Sequence, residues 1–239
     1  MNDLFIKGFR LNRERVEDFD EYPFSIPAIH GLKELEFEKP VTFLVGENGS
    51  GKSTIVEALA KCIGLSAEGG SRNMSYSTVD STSELNEYLT LFKSGRIPKW
   101  KYFLRAESYY TMANAFYEYN AGWEESLHLG SHGESFNRLF DGFSDNGLYL
   151  MDEPESALSP NNQIRLLYRL YTLEQSGAQF IIATHSPILL YYRNAQILNV
   201  DNGLIPVAYK DTDIYNIYKH FLECPEKMQK YIFDDRNDT

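Results

Sequence analysis

One nonapeptide constrains this chain more than any other stretch: Gly46-Glu47-Asn48-Gly49-Ser50-Gly51-Lys52-Ser53-Thr54. It fills every fixed position of the pattern G-x-x-x-x-G-K-[ST]. Residues 41–45 before it are apolar and rich in β-branched side chains, as in a buried strand. Residues 53–60 after it read as a helix. Strand, glycine loop and helix together make an anion site. Glycines let backbone N–H groups turn inward, and the helix start carries partial positive charge. Gly46 to Thr54 are therefore the candidate phosphate cradle. Lys52 is placed to reach β- and γ-phosphates, and Ser53 to ligate Mg²⁺. A glycine-rich turn without a ligand is the bland alternative, weighed below against the rest of the chain.

A length of 239 residues suits one large α/β domain, here residues 1–239, with room for a small subdomain. The chain is 43% hydrophobic, enough for a sizeable core. Its net charge is −11 and no Lys/Arg run interrupts it. Nucleic acid would thus be met only through a partner or a groove assembled in a dimer. The two cysteines, Cys62 and Cys224, form no C-x-x-C, so neither a zinc site nor a disulfide framework is expected. Cys62 falls on the apolar face of the helix after the loop and reads as a core residue. Met1-Asn2-Asp3-Leu4 has no basic-then-apolar leader pattern, and no apolar run approaches the ~20 residues that span a bilayer. The expectation is a soluble, cytoplasmic protein without membrane insertion.

Residues 4–11 and 32–37 read as strands, and the Ser/Gly/Asn-rich stretch 66–83 as a loop. A helix is predicted over 84–92, a strand over 101–104 and an aromatic helix over 109–119. Strands are predicted over 147–151 and 179–183, with a helix over 160–175 between them, capped by Ser159. Residues 197–200 and 204–207 flank Asp201-Asn202-Gly203 as a hairpin. The tail, 213–233, reads as helical with a break at Pro225. Fully apolar strands alternating with helices predict a mostly parallel sheet.

A second constellation lies at strand ends. Residues 148–151 are apolar and run into Asp152 and Glu153. Ligands of parallel α/β sheets bind beyond the carboxyl ends of strands. Asp152 is therefore the candidate second oxygen ligand for Mg²⁺ held by Ser53, and Glu153 the group that orients water. The strand 179–183 runs into Thr184-His185, which makes His185 either a contact for a γ-phosphate or its water, or a structural hydrogen-bonder. Gly130-Ser131-His132-Gly133-Glu134 precedes a helical stretch, 135–143, and offers either a second phosphate contact or a simple capping box. Arg10, Arg13 and Arg15 either touch nucleotide or form a solvated basic turn. The aromatic residues of 109–119 either stack on a base or a partner, or pack as an ordinary helix.

In order and approximate spacing, these motifs resemble ABC-type P-loop ATPase domains. In that family's terms Gly46–Thr54 looks like Walker A, Ser131 to Glu134 the signature motif, Asp152-Glu153 Walker B, and His185 the switch histidine. Ser156-Ala157-Leu158-Ser159 looks like the D-loop. Asp152-Glu153-Pro154-Glu155 and Thr184-His185-Ser186-Pro187 look most like the SMC, RecF and OLD-like branch of AAA-family ATPases. The short interval between Glu107 and Ser131 leaves no room for a coiled-coil arm. His132 stands where that family usually has glycine. Arg105-Ala106-Glu107-Ser108 stands where it has a Q-loop glutamine, and Glu107 is the residue placed to substitute on the metal or water side.

The resemblance implies a P-loop NTPase fold: an ABC-ATPase head with a mostly parallel central sheet, an N-terminal β lobe and a helical subdomain over about residues 66–143. It implies ATP and Mg²⁺ as ligands and ATP hydrolysis as the activity. It implies a homodimer on ATP binding, with Ser131, Gly133 and Glu134 closing the site of the other copy. Such a chain would be an ATP-dependent switch for a partner effector in defence or repair. The alternatives are the ATPase subunit of a transporter, with a permease as partner, and a DNA-binding RecF-like repair ATPase.

Overall fold

Alternation along the apolar strands sorts their side chains onto two faces of one sheet. The computed structural model describes residues 4–67, 69–71, 83–105, 140 and 142–233. Its main sheet has seven strands in the order β10-β9-β3-β8-β7-β6-β4. These are β3 (Val41–Val45), β4 (Gly70–Ser71), β6 (Trp100–Arg105), β7 (Gly147–Asp152), β8 (Gln179–Ala183), β9 (Ala195–Asn199) and β10 (Ile205–Pro206). β9, β3, β8, β7 and β6 run parallel, and β10 and β4 pair antiparallel at the two edges. The chain therefore has the mostly parallel α/β fold expected of it. Every residue of β3, β7 and β8 is buried, which is why their sequences are mostly apolar.

Because successive side chains point to opposite faces, Leu148, Leu150, Ile181 and Ala183 pack on one side with Ile55 and Leu59 of helix Lys52–Cys62. Tyr149, Met151, Phe180 and Ile182 pack on the other with Leu166, Leu170 and Leu173 of helix Pro160–Gln175. The Ser159 hydroxyl caps the latter helix by accepting the Asn162 N–H, and Pro160 fills its first turn. The rings of Phe143, Tyr149 and Phe180 stack with centroids 4.3 and 5.1 Å apart. The Tyr149 hydroxyl donates to Ser144 O (2.8 Å) and accepts the Ser144 N–H (2.7 Å). Gly147 lies against that ring so closely that a Cβ would sit 2.5 Å from it.

A second sheet, β2-β1-β5, is antiparallel: β1 (Ile6–Leu11) lies between β2 (Glu34–Glu36) and β5 (Leu89–Lys93). Gln179, at the start of β8, joins it to the main sheet. Its side-chain amide accepts the Ile6 N–H (3.0 Å) and donates to Ile6 O (2.8 Å), as a neighbouring strand would. The helix predicted over 84–92 is a correction. Only Leu85–Tyr88 makes a helical turn, and Leu89–Lys93 is a strand. A helix that short is marginal alone, whereas pairing Leu89 with Leu11 and Leu91 with Phe9 satisfies the backbone of both strands. Cys62 is only partly buried, and its thiol donates to Asn86 O. The tail forms helices Asp213–Glu223 and Pro225–Phe233, divided at Pro225, and neither buries a residue. The predicted aromatic helix over 109–119 and most of 66–83 and 135–143 lie outside the described residues.

Candidate functional site

Five parallel strands end on the same edge of the sheet, and each delivers polar groups there. β3 runs into Gly46 and the loop to Gly51, β6 ends in Arg105, β7 in Asp152 and Glu153, β8 in Thr184 and His185, and β9 leads to Asp201. Residues distant in the sequence therefore converge at the start of helix Lys52–Cys62.

The loop is shaped by glycine at two points. Gly49 (φ 81°) and Gly51 (φ 102°) take left-handed conformations that side chains disfavour, and a Cβ on Gly51 would also sit 2.8 Å from Ile26. Gly51 precedes the helix, and no side chain caps the first N–H groups. Ser50 Oγ is buried with no hydrogen-bond partner among the described residues. The Lys52 ammonium donates to Gly46 O and Glu47 O, both at 2.8 Å. Burial pushes its pKa down, opposed by the carboxylates of Glu153, Asp201, Asp152 and Glu47. An uncapped helix start, an orphaned hydroxyl and a buried cation are features that an anion would satisfy.

Ser53 and Asp152, 99 positions apart, meet here. Ser53 Oγ donates to Asp152 Oδ1 at 3.0 Å. Burial raises the Asp152 carboxyl to about 6, partly offset by the Ser53 hydrogen bond and by Arg105. Arg105 Nε lies 3.9 Å from Asp152 Oδ2, while its Nη1 pairs with Glu57 Oε1 at 2.8 Å. A hydroxyl beside a carboxylate is a hard-oxygen donor pair. No group of three His, Cys, Asp or Glu among the described residues could cage a metal. That set fits Mg²⁺, which is commonly held by one or two protein oxygens together with substrate phosphates.

Glu153 has φ 49° and ψ 52°, a left-handed conformation rare outside glycine. The turn aims its carboxylate toward His185, with Oε1 3.7 Å from His185 Nε2. That nitrogen is buried and has no hydrogen-bond partner among the described residues. Burial, reinforced by Lys52, lowers the His185 pKa, opposed by the carboxylates of Glu153, Glu47 and Asp201.

Sequence reading missed five side chains at this edge. Asp201, read only as a hairpin residue, accepts the Glu47 N–H through both oxygens (3.1 and 2.9 Å). Glu155, quoted only as the last residue of Asp152-Glu153-Pro154-Glu155, accepts the His185 N–H at 2.5 Å. Arg105 and Glu57 form the ion pair above. Tyr22, which is exposed, brings its hydroxyl to 3.4 Å from Thr54 Oγ1. Their signals were weak because each depends on a contact across the fold. Arg13 and Arg15 serve the N-terminal lobe instead: Arg13 donates to His30 O and Leu32 O, and Arg15 to Glu87 O. Glu107, Ser131, Gly133 and Glu134 lie outside the described residues.

A model of the AAA domain matches residues 25–184, a span that runs from before the phosphate loop to the tip of β8. The chain belongs to the AAA domain family. A protein of Sulfurisphaera tokodaii, provisionally named an ABC transporter ATP-binding protein, is 24% identical to this AAA-domain chain over 198 residues, or 74% of it. The chain spans only 41% of that curated relative's length. Among solved structures, MJ1267 in its ADP conformation, an ATP-binding cassette of an ABC transporter, is 14% identical with a TM-score of 0.43. That likeness covers 84% of this chain and 91% of the other. The SMC head domain of Thermotoga maritima is 19% identical with a TM-score of 0.39, covering 74% and 93%. Among the described residues of this AAA domain, no helix is long and apolar enough to cross a membrane.

Proposed function

We propose that this AAA domain binds ATP with Mg²⁺ and hydrolyses it. The observation that carries the reading is the hydrogen bond between Ser53 and Asp152 at the mouth of the phosphate loop. Lys52 and the N–H groups of Gly49 to Thr54 hold the phosphates. Ser53 and Asp152 hold Mg²⁺, which when bound supplies charge neutralisation to the β- and γ-phosphates. The Glu153 carboxylate orients a water and takes its proton as the water oxygen bonds to the γ-phosphorus. The bond to the β–γ bridging oxygen breaks, and ADP leaves with that electron pair. Neutral His185 donates from Nε2 to a γ-phosphate oxygen. Phosphoryl transfer asks mainly for such positioning and charge stabilisation. The test is ATP hydrolysis by the purified protein with and without Mg²⁺, alongside Lys52→Ala and Asp152→Asn. Unchanged ATP affinity in Lys52→Ala would refute the assignment.

The same reading extends to an ATP-dependent switch. A second copy would close the site with Ser131, Gly133 and Glu134, and hydrolysis would release it, gating a partner effector. A transporter role is the second reading, favoured by the name of the Sulfurisphaera tokodaii relative. Purifying Glu153→Gln with ATP and identifying what accompanies it separates them: a permease supports transport, and a nuclease or other soluble effector supports the switch.

A further inference from the structure

No hydrogen bond holds the His185 ring among the described residues: Nε2 makes none, and the nearest carboxylate, Glu153 Oε1, stands 3.7 Å away. It is held through its backbone and its neighbour. The turn Pro154–Ala157 begins immediately after Glu153, and from it Glu155 reaches across to accept the His185 N–H at 2.5 Å. A second tie runs beside the first. Gln163 Nε2 donates to Leu158 O (3.0 Å) just past that turn, and Gln163 Oε1 accepts from Ser186 Oγ (2.6 Å). Ser186 Oγ in turn accepts the Ile188 and Leu189 N–H groups, fixing the chain that leaves His185. The Glu153 N–H also donates to Ala183 O at 3.0 Å, so the strand tips bearing Glu153 and His185 are already in register. Beyond Ala183 the Thr184 N–H donates to Leu44 O (3.2 Å) and Thr184 Oγ1 accepts the Ser186 N–H (3.0 Å), so the segment is fixed on either side of His185 and Glu155 holds the one backbone N–H between them.

We infer that Glu155 is a positioning residue for hydrolysis: its carboxylate holds the His185 backbone so that the imidazole faces Glu153 and the phosphate loop, with Gln163 as the second tie. The inference rests on the ATPase reading above and deepens it. Its physical basis is that a ring with no hydrogen bond of its own takes its direction largely from its backbone, and displacements of ~1 Å can cost about 10²-fold in rate. Because the ties start from the turn after Glu153, anything that moves residues 154–158 moves His185 with them.

Kinetics, nucleotide binding and amide exchange on Glu155→Ala, Glu155→Gln and His185→Ala test it. Glu155→Ala should lower kcat about 10- to 100-fold with ATP affinity within about threefold, and Glu155→Gln, which keeps the acceptor, should recover kcat to within about threefold. Adding Glu155→Ala to His185→Ala should cost less than about twofold more, because a residue acting through another is non-additive with it. A merely structural carboxylate would lower melting temperature in both backgrounds and leave the two kcat losses multiplicative. Full kcat in Glu155→Ala, or multiplicative losses, overturns the inference. Amide exchange of the 184–187 segment should rise about tenfold in Glu155→Ala and not in Glu155→Gln, a readout that needs no activity. If the parent neither binds nor hydrolyses ATP, the ATPase reading fails while exchange still decides the tie. Should Glu155→Ala not fold, Gln163→Ala carries the same test, with a kcat loss of about 3- to 10-fold expected and full kcat overturning it.

Discussion

Asp201 grips Glu47: both carboxylate oxygens accept the same backbone N–H, at 3.1 and 2.9 Å, from a hairpin that follows β9. A negative group thus sits beside an anion cradle, and two effects oppose. The hydrogen bond fixes the first turn of the loop, while the charge disfavours phosphate nearby. Asp201→Asn keeps an acceptor and removes the charge, whereas Asp201→Ala removes both. The Asn variant should bind ATP about threefold tighter than the Ala variant, the scale of an exposed hydrogen bond to a loop. Titration calorimetry checks the order, and equal affinities in the two variants would refute the pinning role.

Glu153→Gln preserves shape but cannot take a proton from water. In the proposed switch it should trap an ATP-bound dimer, because γ-phosphate contacts from a second copy persist only while that phosphate is attached. Light scattering with Mg²⁺ should show a mass doubling on ATP addition. The same mass in both conditions, with the nucleotide-free protein confirmed monomeric, would exclude the sandwich.

Asp152 gives a pH signature in magnesium-free buffer. Its carboxyl is raised from 3.8 to about 6, chiefly by burial. The native state therefore favours the protonated form. The stability this contributes is present below pH 3.8 and is lost as pH rises through about 6. Asp152→Asn mimics the neutral form. It should match the parent near pH 4 and exceed it near pH 8, by at most about 3 kcal/mol for a shift of this size. Urea titrations at the two pH values measure it. A gap that does not widen with pH would show that the buried charge costs nothing.

Gly147→Ala should destabilise by about 1–3 kcal/mol, the usual cost of forcing atoms into a packed core. The added methyl would sit 2.5 Å from the Tyr149 ring, which is stacked between Phe143 and Phe180 and tied to Ser144. Chemical denaturation reads the loss. Parental stability would mean that the stack yields freely.

The main sheet was legible because its central strands β3, β7 and β8 are fully buried and so spell mostly apolar runs at 41–45, 147–151 and 179–183. The placement of the loop, Asp152, Glu153 and His185 at strand tips was legible because local pattern and position coincide there. β5 was misread because Leu89–Lys93 has no signal of its own. Its state is decided by β1, some eighty residues earlier in the chain. Asp201, Glu155 and Arg105 were missed for a related reason: a carboxylate or guanidinium in a turn or at a strand end looks the same whether it meets solvent or another strand's tip.

Glu153 sits in a backbone conformation that glycine would adopt with less strain, at a cost of roughly 1–2 kcal/mol for an L-residue. Selection for heat resistance alone would therefore favour replacing the very side chain proposed to activate water. A stabilised lineage of this protein obtained without an activity filter should accumulate glycine or asparagine at 153, folding better as the proposed turnover is lost. Under the proposed ATPase role, the twist at the end of β7 is a place where folding and chemistry ask for different residues.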